Sequence, residues 1–136
     1  MERIAQCHCG SLRATVNGEP DFVNVCHCKA CQRRTGAVFH SGAYYRKAQI
    51  RAEGPSKVYV RAGHSGGRLR FHFCPNCGSS VYWDADVRPD HYGVAVGAFA
   101  DPTFPQPTVS IWEEAKHSWV VLPGDVEHFR QSRQIK

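Results

Sequence analysis

Seven cysteines gathered into three tight groups constrain this chain more than any other feature: Cys7-His8-Cys9, Cys26-His27-Cys28-Lys29-Ala30-Cys31 and Cys74-Pro75-Asn76-Cys77-Gly78. A zinc ion takes four ligands, with sulfur at about 2.3 Å; a structural site draws all four from protein, and a catalytic site leaves one for substrate or water. The outer groups supply four thiols and the central group three. Cys74-Pro75-Asn76-Cys77-Gly78 reads as a zinc-knuckle turn, in which glycine lets the backbone wrap back with its amides toward sulfur. A knuckle is half a site. Cys7 and Cys9 are its natural complement, because using them leaves Cys26, Cys28 and Cys31 as a coherent trio. Tying position 9 to position 74 encloses about 65 residues, and chain entropy alone gives about 4 kcal/mol of stabilisation, separate from coordination.

The metal reading depends on thiols staying reduced. No run approaches the roughly 20 apolar residues of a membrane span, and Met1 to Gln6 lacks the apolar stretch of a secretory signal. The expected location is therefore cytoplasmic, with no membrane partner, where clustered cysteines hold metal rather than form disulfides. An odd cysteine count agrees. At 136 residues the chain is expected to be one domain spanning 1–136, large enough to bury a core without metal, and 42% apolar residues are an ordinary globular share.

Alternation and β-branched residues predict strands over Ile4 to Cys9, Leu12 to Val16, Phe22 to Val25, Ala37 to Tyr45 with a break at Gly42, and Gln49 to Glu53. In the first of these, Cys7 and Cys9 would share one face, with His8 directed away. Lys57 to Arg61 and Arg68 to Phe73 form the strongest hairpin signal, joined through Gly63-His64-Ser65-Gly66-Gly67. Ser79 to Trp83, His91 to Phe99 and Thr108 to Trp112 are further strands, with Asp84 to Asp90 a polar connection and the stretch beyond Gly124 frayed or laid on the surface. Asp101 to Pro107 can hold no regular element, because proline removes donors and restricts its predecessor. Cys28 to Arg34 is a short helix ended at Gly36, which puts Cys28 and Cys31 on one side. The class is mainly β with short helical turns.

The central trio has two readings. Either Cys26, Cys28 and Cys31 hold a zinc whose fourth position exchanges, or a histidine among His27, His40, His64 and His72 closes a second structural site. In the open form, three protein thiolates already place net negative charge on the ion, so a metal-bound sulfur stays electron-rich. Thiol chemistry is then favoured over hydrolysis. No glycine-rich phosphate loop, HExxH helix or G-x-S-x-G elbow is present to support nucleotide-dependent, zinc-protease or serine-hydrolase chemistry. The net charge of +5 suits anionic partners. Lys29, Arg33 and Arg34 sit beside the central cysteines, while dispersion of the other basic residues and the lack of a recognition-helix pattern argue against nucleic acid.

The three cysteine groups in this order, together with Gly97-Ala98-Phe99-Ala100-Asp101-Pro102 and Lys116-His117-Ser118-Trp119, resemble the glutathione-dependent formaldehyde-activating enzyme family, also called the centromere protein V family, over roughly residues 4–122. Ser110 stands where a histidine is common. The resemblance implies an Mss4-like fold of antiparallel sheets stapled by two zinc ions, a structural one on Cys7, Cys9, Cys74 and Cys77 and a catalytic one on Cys26, Cys28 and Cys31. It also implies carbon-sulfur lyase chemistry that joins glutathione, a small anionic thiol, to formaldehyde, a small aldehyde, reversibly. Lys29, Arg33 and Arg34 would then meet the carboxylates of glutathione, and His27 or His40 would donate to the developing alkoxide. Glu113 and Glu114 read as a solvated pair with a weaker acid-base alternative. The competing use of the same framework is a noncatalytic, zinc-stabilised module whose basic surface binds protein or nucleic acid.

Overall fold

The computed structural model describes residues 1–64 and 66–133, so the loop residue Ser65 and positions 134–136 of the tail lie outside the described residues. The chain is mainly β with one short α-helix, as its alternating patterns require. In chain order the elements are β1 (Glu2–Gln6), β2 (Arg13–Asn17), β3 (Phe22–Cys26), α1 (Lys29–Thr35), β4 (His40–Arg46), β5 (Ile50–Glu53), β6 (Lys57–Ala62), β7 (Arg68–Phe73), β8 (Ser80–Ala85), β9 (Arg88–Ala95), β10 (Val109–Ile111) and β11 (Glu127–His128). They gather into two compact units: Met1–Asp21 with Ala43–Phe104, and Phe22–Gly42 with the residues from Pro105 on.

In the first unit β1, β2 and β5 form an antiparallel sheet in which Ala5 pairs with Ala14 and Val16 with Ile50. Ala5, Leu12, Ala14 and Val16 are wholly buried, the core face of a period-two pattern. β6 to β9 make an antiparallel meander that begins with the expected hairpin, Lys57 opposite Phe73 and Ala62 opposite Arg68. The polar stretch after Trp83 is not a loose connection. β8 runs to Ala85 and β9 starts at Arg88, opposite it. Charge on those strands is neutralised locally: Arg70 reaches Asp84 at 3.0 and 3.2 Å and Asp86 at 2.9 Å, and the Asp86 carboxylate also accepts from the Arg68 amide. Gly93 is demanded by contact, since a Cβ there would lie 2.3 Å from the Trp83 ring.

In the second unit β10 lies parallel to β3, with Ile111 opposite Cys26, and β11 lies parallel to β10. Of the two expectations for the tail, frayed or laid on the surface, the second holds in a stronger form, because it pairs with the sheet edge: the amides of Glu127 and Phe129 donate to the carbonyls of Thr108 and Ser110 at 2.9 Å each. Burial of Val126 supplies the apolar anchor. α1 ends at Gly36 as expected, with φ of 71° and its amide on Gln32 O at 2.8 Å. β4 runs unbroken through buried Gly42, which keeps an extended backbone. The prolines after Asp101 hold no strand; the Asp101 carboxylate fixes that loop by accepting from the amide and hydroxyl of Thr103 at 2.9 and 2.7 Å.

Candidate metal centres

The first unit carries the four-thiol group. Cys7 and Cys9 do not lie on a strand, as alternation had suggested, but on the turn between β1 and β2, where the Cys7 amide bonds Leu12 O at 3.0 Å and the Gly10 amide bonds Cys7 O at 3.1 Å. The turn achieves what the strand was invoked for, bringing both sulfurs to one side, 3.7 Å apart. Cys74 and Cys77 occupy the knuckle between β7 and β8. There the Gly78 amide returns to Cys74 O at 2.8 Å, and the amides of Asn76 and Cys77 approach the Cys74 sulfur at 3.4 and 3.5 Å. Cys9 and Cys74 sulfurs are 3.6 Å apart. A tetrahedron with 2.3 Å arms has edges of about 3.8 Å, so this spacing fits zinc.

Hydroxyl groups line this site. Ser11 Oγ lies 3.1 Å from Cys9 and 3.2 Å from Cys74 sulfur, and Ser79 Oγ lies 3.4 Å from Cys77 sulfur. Asn76 and Ser11 lower the exposed Cys9 thiol to about 7, and Ser79 with the Cys9 backbone lowers Cys77 to about 5. Burial pushes Cys7 the other way. Ser11 is held from behind by the turn at Gly54, where a Cβ would fall 1.8 Å from Ser11 O.

The second unit carries the three-thiol group, whose ligand atoms all lie within 4.8 Å of one another. β3 delivers Cys26 at its end. Cys28 caps α1, accepting from the Cys31 amide at 3.3 Å, and Cys31 follows one turn on. All three are buried and packed by Ala30, Ile111 and Trp112. Neighbouring Cys28 and Cys31 sulfurs, with burial, drive the Cys26 thiol far above its ordinary range. Cys31 is raised too: contact with Cys26 lowers it, but Cys28 and burial outweigh that. Sulfurs so close and so dry cannot share negative charge without a cation among them, which is the electrostatic character of a metal cradle.

Around the trio the structure assembles connections that spacing did not reveal. His27 is fully buried, its amide on Ile111 O at 3.1 Å and its Nε2 3.0 Å from Ser110 Oγ. The Ser110 hydroxyl donates to Glu113 Oε2 at 2.5 Å, so its oxygen accepts from His27 Nε2–H. Glu113 also receives His128 Nδ1 at 2.6 Å. Burial lowers the His27 pKa, favouring the neutral ring. Burial tends to raise Glu113, but Ser110 and His128 outweigh it and hold the carboxyl below its usual range. Glu113 is therefore no solvated partner of Glu114, which instead pairs with Arg130 at 3.1 Å. Gln32 ties α1 down, donating to His27 O at 2.7 Å and Ala115 O at 3.2 Å while its carbonyl meets His117 Nε2 at 3.1 Å. The bonds that join His27 to Ser110 and Gln32 to Ala115 and His117 span more than 80 positions, and no local pattern encodes them.

Other expected participants fall as follows. Lys29 and Arg33 are exposed on α1 and Arg34 is half-buried there; Arg33 and Arg34 in the last turn also complement the helix dipole. His40 is buried at the start of β4. Among the described residues neither it nor His27, His64 or His72 belongs to the three-sulfur group. His72 stacks on Tyr82 with ring centroids 4.3 Å apart.

No described helix is long and apolar enough to cross a membrane. No curated protein matches the chain. The crystal structure of a Rhodobacter sphaeroides structural-genomics protein aligns with a TM-score of 0.56 and 23% identity, covering 75% of this chain and 92% of that one, a likeness that speaks for the fold. The model of the family described as glutathione-dependent formaldehyde-activating enzyme matches residues 2–115, a span that contains all seven cysteines. On that match the chain belongs to the glutathione-dependent formaldehyde-activating enzyme family.

Proposed function

We propose that this protein is a zinc-dependent carbon-sulfur lyase that joins a thiol, glutathione, to a small aldehyde, formaldehyde, and releases them in reverse. The observation that supports it most directly is the three-sulfur group of the second unit, which contains no histidine or carboxylate among the described residues. Bound there, zinc would hold an incoming thiol as a thiolate near neutral pH while three thiolate ligands keep its sulfur nucleophilic. Cys7, Cys9, Cys74 and Cys77 hold a second, structural ion in this reading.

The reaction adds RS–H across C=O: a carbon–sulfur bond forms, the carbonyl π pair moves to oxygen, and the thiol proton ends on that oxygen as RS–CH2–OH. The chain positions the thiol near the trio, which turns a bimolecular encounter into a local one. Lys29, Arg33 and Arg34 draw the carboxylates of glutathione toward α1, Arg being suited to a bidentate contact. A donor must meet the oxygen as charge develops. His27, whose Nε2 meets Ser110 Oγ, and His40 are the candidates.

Metal analysis with zinc-edge absorption, with and without glutathione, and an assay of formaldehyde disappearance test the proposal together. Two zinc ions per chain, a spectral change at one of them, and formaldehyde loss that requires glutathione and vanishes in Cys31→Ser are expected. One ion per chain, or two sites that ignore added thiol, would refute it.

A further inference from the structure

Trp112 packs against the three buried thiols while remaining half-buried itself. Its backbone sits at φ 59° and ψ 41°, in the left-handed region, one of two non-glycine residues there among those described. A bulky side chain disfavours that conformation, and such outliers persist where the surroundings over-determine them. The surroundings here are the tail. Trp112 N–H donates to Gln131 O at 3.1 Å, and the next two amides, of Glu113 and Glu114, donate to Phe129 O at 3.1 Å and Arg130 O at 3.2 Å. The Glu113 carboxylate pins the same turn from both sides through Ser110 and His128. Glycine or asparagine would adopt this backbone with less strain. Tryptophan here places a large apolar face at the sulfurs, held from outside by the carbonyls of Phe129, Arg130 and Gln131 and by two ion-paired carboxylates.

We propose that Trp112 is a specificity-determining residue: its ring walls the place where a ligand's sulfur joins the trio and covers the methylene carbon next to that sulfur. The inference rests on the thiol-binding reading of the centre. Its ligand class is therefore small thiols with an unbranched CH2–SH group, whatever they carry beyond it. Ile111 and Ala30 complete the packing from β10 and α1.

The test uses cobalt(II)-substituted protein, whose ligand-field absorption reports thiol entry without turnover, titrated with glutathione and with 2-mercaptoethanol. Trp112→Gly is expected to weaken both thiols about tenfold, the size of a lost aromatic contact, and Trp112→Phe to stay within about threefold. Trp112→Gly is also expected to melt no lower than Trp112→Ala, because glycine relaxes the left-handed backbone; Trp112→Asn gives the same reading of affinity if the glycine variant does not fold. Unchanged affinity in the glycine or asparagine variant would overturn the wall, and a loss confined to glutathione would overturn the methylene contact. A wild-type spectrum that ignores both thiols would instead overturn the thiol-binding reading itself.

Discussion

The two sulfur groups differ less in ligand number than in what surrounds the sulfur. In the four-thiol group Ser11, Ser79 and knuckle amides point at the ligands, Cys9 is exposed, and two thiols are lowered toward or below neutrality. In the three-thiol group every sulfur is buried against Ala30, Ile111 and Trp112, and Cys26 and Cys31 are raised. Donors that stabilise thiolate charge make a ligand content with its ion and poorly nucleophilic. A dry, apolar wall leaves that charge concentrated on the sulfur. The contrast teaches that two groups built from the same ligand atom can be set apart by their neighbours.

The strongest attempt to break the comparison swaps one ligand in each unit. Cys74→Ser is expected to lose one metal per chain and to lower the melting temperature by roughly 15 °C, from the loss of a cross-link worth about 4 kcal/mol. Cys31→Ser is expected to lose the other metal and all formaldehyde-consuming activity with a much smaller thermal cost. Metal content, calorimetry and the assay read both; equal thermal losses would erase the distinction between staple and centre.

A smaller effect tests the hydroxyl lining. Gly54 has φ of 94°, and a methyl there collides with Ser11 O, so Gly54→Ala must move the serine that faces Cys9 and Cys74. A loss of about 2–3 kcal/mol is expected in denaturant unfolding, with zinc held more weakly against a chelator at the four-thiol site alone. Intact chelator resistance would mean that Ser11 does not support that site.

The smallest effect concerns acid. The folded Glu113 carboxyl titrates below its ordinary value near 4.5, so it contributes stability above that value and the contribution is lost as pH falls through the lowered one. Glu113→Gln is expected to cost about 1–2 kcal/mol above pH 5 and nothing once the wild-type carboxyl is protonated. Comparing the two proteins across the acid range cancels the metal release common to both.

Much of this was readable from residue order. Cysteine spacing separates the same two groups that the fold brings together, and the turn at Cys74 to Gly78, the β6–β7 hairpin, α1 and its stop at Gly36 follow from local chemistry. Local chemistry also misled where long-range partners decide. Asp84 to Asp90 looked like a polar loop until Arg70 and the Arg68 amide neutralised it within a hairpin. Cys7 and Cys9 looked like strand residues because alternation cannot distinguish a strand from a turn that presents the same two side chains. The tail looked loose because its pairing partner, β10, lies some eighteen residues earlier and β11 is only two residues long. Trp112 read only as the end of a strand; its left-handed backbone and its packing against the thiols appear only in the structure.

The division of the chain between its units sets an order of events during synthesis on the ribosome. Every residue of the four-thiol unit has been made once Phe104 emerges, whereas the three-thiol unit holds its cysteines early and waits for β10 and β11. A nascent chain has thus made all four thiols of the first group, with every strand of their unit, before β10 exists to bring Ile111 and Trp112 against the other three.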